Sequence, residues 1–136
     1  MNSSETIFVR VPPVVTGSRI TWLCAGCRRP IKRGGGALMV DHVAAMLRRH
    51  ARREFDLNHP DGSDLAAYAR EIPEKLTWVA WHTRCHTSDG REYWLGIDRI
   101  DSPLLLVQRA AHLAAKGWVG DTDWDQVLRE AGRDAV

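Results

Sequence analysis

An α+β fold is expected for this chain of 136 residues, and three observations predict it. Short runs of β-branched and aromatic residues alternate with turn residues in the first half. Two stretches, from Asp41 and from Ser102, carry helical periodicity behind good capping residues. Two pairs of potential metal ligands, Cys24/Cys27 and His82/Cys85, stand at the ends of strand-like segments. A small core organised around one metal ion, with helices added, accommodates all three.

Thr6–Val11 reads as a strand closed by Pro12-Pro13, and Ile20–Leu23 as a second strand running into Cys24. Cys24-Ala25-Gly26-Cys27 is followed by Arg28, Arg29, Lys32 and Arg33, then by Gly34–Gly36 and a strand at Ala37–Val40. Strand, Cys-x-x-Cys, glycine turn and returning strand describe a knuckle on a β-hairpin, the glycines supplying positive φ. Asp41 is placed to cap a helix whose apolar face is expected to be Val40, Val43, Ala44, Leu47, Ala51 and Phe55. Arg48, Arg49, Arg52 and Arg53 would then lie opposite, either solvated or paired with the acidic second half.

A loop at 58–62 leads to Ser63, expected to cap a short helix with Leu65, Tyr68 and Ile72, stopped by Pro73. Thr77–Trp81 is a strand by composition, and Glu92–Ile97 another. Ser102 as N-cap, Pro103 at the first helical position and Gly117 past the end frame a helix over 103–116. Thr122 should cap a last helix with Asp123 and Asp125 in its first turn and Trp124, Val127, Leu128 and Ala131 as its buried stripe. His112, in mid-helix, is expected to be partly buried. The predicted organisation is a unit over 1–100 with a helical insertion over 41–73, and a C-terminal helical pair over 101–136 packed on it.

The three cysteines and His82 make a complete donor set. A two-residue spacing lets both members of a pair reach one tetrahedral ion at about 2.0–2.3 Å, so Cys24, Cys27, His82 and Cys85 are candidate ligands of a structural Zn²⁺. Three thiolates and a neutral imidazole leave a site charge near −1, which Arg28, Arg29, Lys32, Arg33 and Arg84 could offset. Four protein ligands leave no position for an activated water, so the zinc would be architecture.

The net charge of +2 conceals a polarity. Residues 1–56 hold ten Lys/Arg against four Asp/Glu, and residues 57–136 hold nine against thirteen. One reading is that the basic half binds an anionic partner; the other is that the two halves attract each other within the fold. On the first reading, Arg28, Arg29, Lys32, Arg33, Arg48, Arg49, Arg52 and Arg53 form a nucleic-acid-binding surface, with His50 and His59 nearby. Trp118 and Trp124, beside acidic residues, offer a second possibility, a protein partner docking on the C-terminal helices. No run approaches the roughly 18 apolar residues of a membrane span, and no secretory signal stands at the N-terminus, so a cytoplasmic location is expected. Gly34–Gly36 is no phosphate loop, because no Gly-Lys-Ser/Thr follows it.

The Cys-x-x-Cys hairpin followed by a strand ending in His-x-x-Cys resembles the treble-clef class of zinc fingers, over residues 20–42 and 77–87. Trp81–Cys85 also resembles the middle of a LIM finger, without the second LIM zinc site. The 54 residues between Cys27 and His82 are a long insertion for either. Val40-Asp41-His42, Asn58 and Cys85-His86 are similar to the pattern of HNH endonucleases. That resemblance implies His42 as general base and Asp41 and His86 as ligands of a catalytic cation. The departures are a long gap from Asn58 to His82 and a histidine in place of a cysteine. Glu92-Tyr93-Trp94, His112-Leu113, Lys116-Gly117-Trp118 and Thr122-Asp123-Trp124 are similar to small uncharacterised proteins of actinobacteria and their phages, which implies an accessory or regulatory role. Together these readings favour a non-catalytic, zinc-stabilised, nucleic-acid-binding module.

Overall fold

A computed structural model describes residues 9–61 and 64–132. Its elements are β1 (Val14–Thr16), β2 (Arg19–Thr21), β3 (Gly36–Asp41), α1 (His42–Asn58), α2 (Leu65–Glu71), β4 (Val79–His82), β5 (Glu92–Gly96), α3 (Pro103–Ala114) and α4 (Trp124–Ala131). Single 3₁₀ turns cover 83–85, 97–99 and 119–121. The mixed α/β architecture expected from the sequence is present, with two small antiparallel sheets and four α-helices among the described residues. Of the strand expected at Thr6–Val11, residues 6–8 lie outside the described residues, and Val9–Val11 are not in a strand.

β1 and β2 form a hairpin turned by Gly17, whose φ of +60° favours glycine. The larger sheet has the order β4-β3-β5. Leu38 is the centre of its register, opposite Ala80 on one side and Leu95 on the other. Ala37, Leu38, Met39 and Val40 are all buried, so β3 is covered on both faces, as its unbroken apolar run requires. Here the expected hairpin fails. β2 does not pair with β3; the knuckle closes on itself through a bridge between Leu23 and Pro30, and β3 turns away to pair with β4 and β5. Gly36 permits that departure, since a Cβ there would collide with the carbonyl oxygen of Trp81 on β4.

The helical starts follow their caps. Asp41 accepts from the Ala44 N–H at 2.9 Å, and Ser102 accepts from Leu105 at 3.3 Å with Pro103 beginning α3. Asp64, in place of the expected Ser63, accepts from Ala67 at the start of α2; Ser63 itself lies outside the described residues. α3 ends at Ala114 with Ala115 as its cap, so Gly117 is not its terminator. Gly117 leaves room for the Arg49 guanidinium, which any Cβ would overlap. Asp123, not Thr122, is the N-cap residue of α4, while the Thr122 hydroxyl accepts from Trp78 Nε1 at 2.9 Å.

The rotation of α1 is the largest correction. Its inward residues are Ala45, Arg48 and Phe55, whereas Met46 and Leu47 are exposed, Leu47 by 62%. Of the expected apolar face, Phe55 is buried, Ala51 packs beside it, Val43 and Ala44 are half-buried and Leu47 alone is turned out, while Arg48 of the arginine face is turned in. The reason is Asp121, a carboxylate with no solvent exposure. It accepts from Arg48 at 2.7 Å and from Arg52 at 2.6 and 2.8 Å, and Arg48 also donates to the Pro73 carbonyl.

The main core joins the sheet to the C-terminal segment. Trp22 and Trp78 are fully buried, and Trp118 and Trp124 are only 7% exposed, with Leu106, Leu113 and Val127 around them. Residues 119–123 run beside 76–78: Leu76 N–H donates to the Asp121 carbonyl, Asp123 N–H to the Leu76 carbonyl, and Trp78 N–H to the Asp123 carboxylate. Trp118 and Trp124 are therefore core residues and unavailable as docking anchors. His112 is exposed, contrary to the expectation from its helical position. A smaller cluster packs Phe55 on Ala67, Ile72 and Tyr68. No helix among the described residues is long and apolar enough to cross a membrane.

Candidate metal centre and its basic rim

The knuckle is a turn stitched by backbone bonds. Cys24 N–H donates to the Arg29 carbonyl, Arg28 N–H to the Cys24 carbonyl, and Ile31 N–H to the Trp22 carbonyl. Arg28 takes a positive φ of 62° to close it. On the other side, β4 ends at His82 and the 3₁₀ turn 83–85 lifts Cys85 toward the same point. Thr83 N–H donates to the Gly35 carbonyl, and Ala25 N–H to the Ala80 carbonyl, so the two ligand-bearing segments are pinned together on both sides.

This brings one donor atom from each of Cys24, Cys27, His82 and Cys85 within 4.8 Å of one another, and the cluster can hold a metal ion. A tetrahedral shell with bonds of 2.0–2.3 Å has ligand–ligand separations of about 3.3–3.8 Å, so small side-chain adjustments suffice. His82 Nδ1 stands 3.2 Å from Cys27 Sγ, while Nε2 lies 3.1 Å from the Pro30 carbonyl. A carbonyl only accepts, which assigns the proton to Nε2 and leaves the Nδ1 lone pair facing the three sulfurs. His82 and Cys24 are buried, Cys85 half-buried and Cys27 exposed.

The electrostatics favour a thiolate at the buried end. Cys24 is lowered to about 6: burial opposes this, but the N–H groups of His82, Cys27 and Gly26 outweigh it. Burial and the neighbouring Cys24 and Cys27 sulfurs push the Cys85 thiol up. Backbone N–H groups, not the nearby arginines, make the hydrogen bonds to sulfur; His82 N–H reaches Cys24 Sγ at 3.3 Å. A cation at the cluster would relieve the repulsion among three sulfurs, and the donor set fits a thiophilic ion.

The eight basic residues expected to form one surface divide. Arg28, Arg29 and Lys32 are exposed on the knuckle with no side-chain hydrogen bond or ion pair, and Arg84, from the turn after β4, joins them. Arg33 is exposed but bridges Asp101 at 2.8 Å and the Asp98 carbonyl. Arg48 and Arg52 are spent on Asp121, and Arg49 lies against Gly117. Arg53 is exposed on α1, His50 pairs with Glu54 on the same helix, and His59 stacks on Phe55. Arg10 escaped the sequence reading: it is buried, and it binds Asp123, Glu130 and the Trp78 carbonyl. A single arginine in an apolar run carries no local sign of such partners. Much of the charge polarity is thus consumed inside the fold.

The three residues of the nuclease pattern do not converge. Asp41 caps α1 and pairs with Arg91 at 3.0 Å, and His86 Nε2 stands 2.8 Å from Glu92. Both line one cleft of about 210 Å³ with Asp89, Arg91 and Glu92. His42 is not on that cleft; its Nδ1 is buried without a hydrogen-bond partner, and its ring lies against Tyr93 and Trp118. A general base must reach water, and Nδ1 here does not. Asn58, the last residue of α1, belongs to a different depression, with Phe55 and Ile72.

Neither the treble-clef nor the HNH resemblance gains support from a matching family. The chain matches no protein-family model, no curated protein and no solved structure.

Proposed function

We propose that the protein is a non-catalytic, zinc-stabilised module that binds nucleic acid through the exposed face of its knuckle. Zn²⁺ would be held by Cys24 Sγ, Cys27 Sγ, His82 Nδ1 and Cys85 Sγ, closing a four-ligand shell with no open position. Its contribution would be to lock the knuckle against β4. The observation that carries the nucleic-acid reading is a cluster of cations left out of the internal ion pairs, Arg28, Arg29, Lys32 and Arg84, all exposed beside the potential metal ligands. Phosphate contacts from such residues give affinity without base specificity and fall steeply with salt.

The test is fluorescence anisotropy of zinc-loaded protein on labelled duplex and single-stranded DNA and RNA across a salt series. Arg28→Ala/Arg29→Ala should weaken binding and reduce the salt slope, whereas Arg70→Ala on α2 should do neither. Absence of binding by the unmodified protein at low salt would sink the proposal.

A second reading, a protein-binding role for the C-terminal helices, now rests on α3 alone. Leu104 and Val107 are exposed on its outer side, while both tryptophans are interior. Copurification of a partner that Leu104→Glu/Val107→Glu abolishes would favour it.

A further inference from the structure

The knuckle and the turn after β4 enclose a depression of about 450 Å³, lined by Arg29, Pro30, Lys32, Gly35, His82 and Arg84. No carboxylate lines it. Three cationic side chains converge on one concavity without an anionic partner, an arrangement that like-charge repulsion disfavours unless an anion or a negatively charged neighbour is present. A metal held by three thiolates and His82 would supply part of that charge from behind, yet none of the three cations makes a hydrogen bond to a sulfur. Their donors remain available to the open side.

The two walls come from distant parts of the chain. One is the 29–35 segment, the other 82–84. They are joined by the His82 Nε2–Pro30 carbonyl bond at 3.1 Å and by Thr83 N–H to the Gly35 carbonyl at 3.0 Å, and a metal held by Cys24, Cys27, His82 and Cys85 would tie them further. A second depression, with Arg19, Arg33 and Asp101 in its lining, shares Pro30 and Lys32 with the first. Lys32 therefore stands between two adjacent hollows.

We infer that the Arg29/Lys32/Arg84 pocket is a phosphate subsite whose walls are brought together by metal binding, and that it takes one backbone phosphate of a nucleic-acid strand. The second clause rests on the nucleic-acid reading above; the first does not. Arginine forks suit phosphate oxygens in pairs, and Lys32 adds a point charge between the two hollows. The metal acts on affinity only by holding His82 and Cys85 against the knuckle.

Two measurements on the full chain test this. Backbone amide NMR of zinc-loaded protein, titrated with inorganic phosphate, should give saturable shifts confined to residues 29–35 and 82–84, and these should vanish after chelation of the metal. In parallel, Arg29→Ala/Arg84→Ala, checked to bind one zinc ion and to retain its fold, should lose about tenfold or more in oligonucleotide affinity relative to Arg70→Ala on α2. Absence of phosphate shifts at those amides, or an unchanged oligonucleotide affinity in the double variant, overturns the inference while leaving the broader reading standing. Phosphate shifts without any oligonucleotide binding would uphold the anion pocket and its metal dependence and overturn its assignment to a nucleic-acid strand.

Discussion

Asp121, at the end of a 3₁₀ turn, holds Arg48 of α1 at 2.7 Å with no solvent exposure on the carboxylate and 7% on the arginine. That pair, joined by Arg52, sets which face of α1 looks inward. Burial raises the carboxyl's pKa, but the bonds from Arg52 and Arg48 outweigh it and hold Asp121 below the usual carboxylate range. A depressed pKa means stabilisation that is present at neutral pH and lost as pH falls below the ordinary carboxylate value. Asp121→Ala should cost about 3–5 kcal/mol, because it strands a buried guanidinium. Arg48→Met in the Asp121→Ala background should recover part of the loss in urea unfolding, and a simple sum of the single effects would refute coupling.

Removing the metal should be costlier than any surface change. Structural zinc sites with thiolate ligands contribute on the order of 10 kcal/mol, so chelation should melt the knuckle and loosen β3–β4. Elemental analysis should find one zinc per chain, and Cys24→Ser should lose it. Trp81 packs over Gly26 and reports the change by fluorescence. A protein that purifies metal-free with an unchanged melting curve would contradict the zinc assignment.

The close approach at Gly36 gives a steric prediction. Gly36→Ala places a Cβ into the Trp81 carbonyl, with Ile31 Cγ2 at 2.9 Å and His82 Cα at 3.0 Å. It should destabilise by about 1–3 kcal/mol through forced backbone shifts and weaken zinc binding through His82. Gly120→Ala, where a Cβ meets nothing within 4 Å, should have little effect in the same denaturation experiment.

Acid sensitivity should also arise at Glu92. The bond from His86 holds its carboxyl at about 2, down from an ordinary 4.5. The associated stabilisation is present above about pH 4.5 and lost as pH falls toward 2. Glu92→Gln should flatten that part of the stability–pH curve, and carboxyl NMR should show Glu92 titrating well below a free glutamate. An ordinary titration would contradict the His86 contact.

Several features were legible in the residues because their causes are local. Asp41 and Ser102 cap where they stand because a short acceptor side chain can bond only to N–H groups two or three residues on. Pro103 begins α3 because its fixed φ and missing N–H suit a first turn. The Cys24/Cys27 and His82/Cys85 pairs were recognisable by spacing, and the fold brings all four together. The rotation of α1 was not legible. Val43, Ala44 and Leu47 made a plausible apolar stripe, and the carboxylate that draws Arg48 inward lies 73 residues from it along the chain. The same holds for Arg10, whose acidic partners are more than 110 residues away.

Read alone, the chain determined its α+β class, the starts of α1 and α3 and the four potential ligands, since each depends on contacts within a few residues. Tertiary structure decided which strands pair with β3, where Trp118 and Trp124 go, and which arginines stay in solvent. Those outcomes turn on long-range partners: the Trp81 carbonyl against Gly36, and the buried Asp121 carboxylate that must be neutralised by whatever cations the fold brings near it. Of the eight basic residues that looked alike in the sequence, only Arg28, Arg29, Lys32 and Arg53 are both exposed and unpaired. Three of those four stand beside the metal cluster, because the turn that presents the cysteines also turns these side chains out.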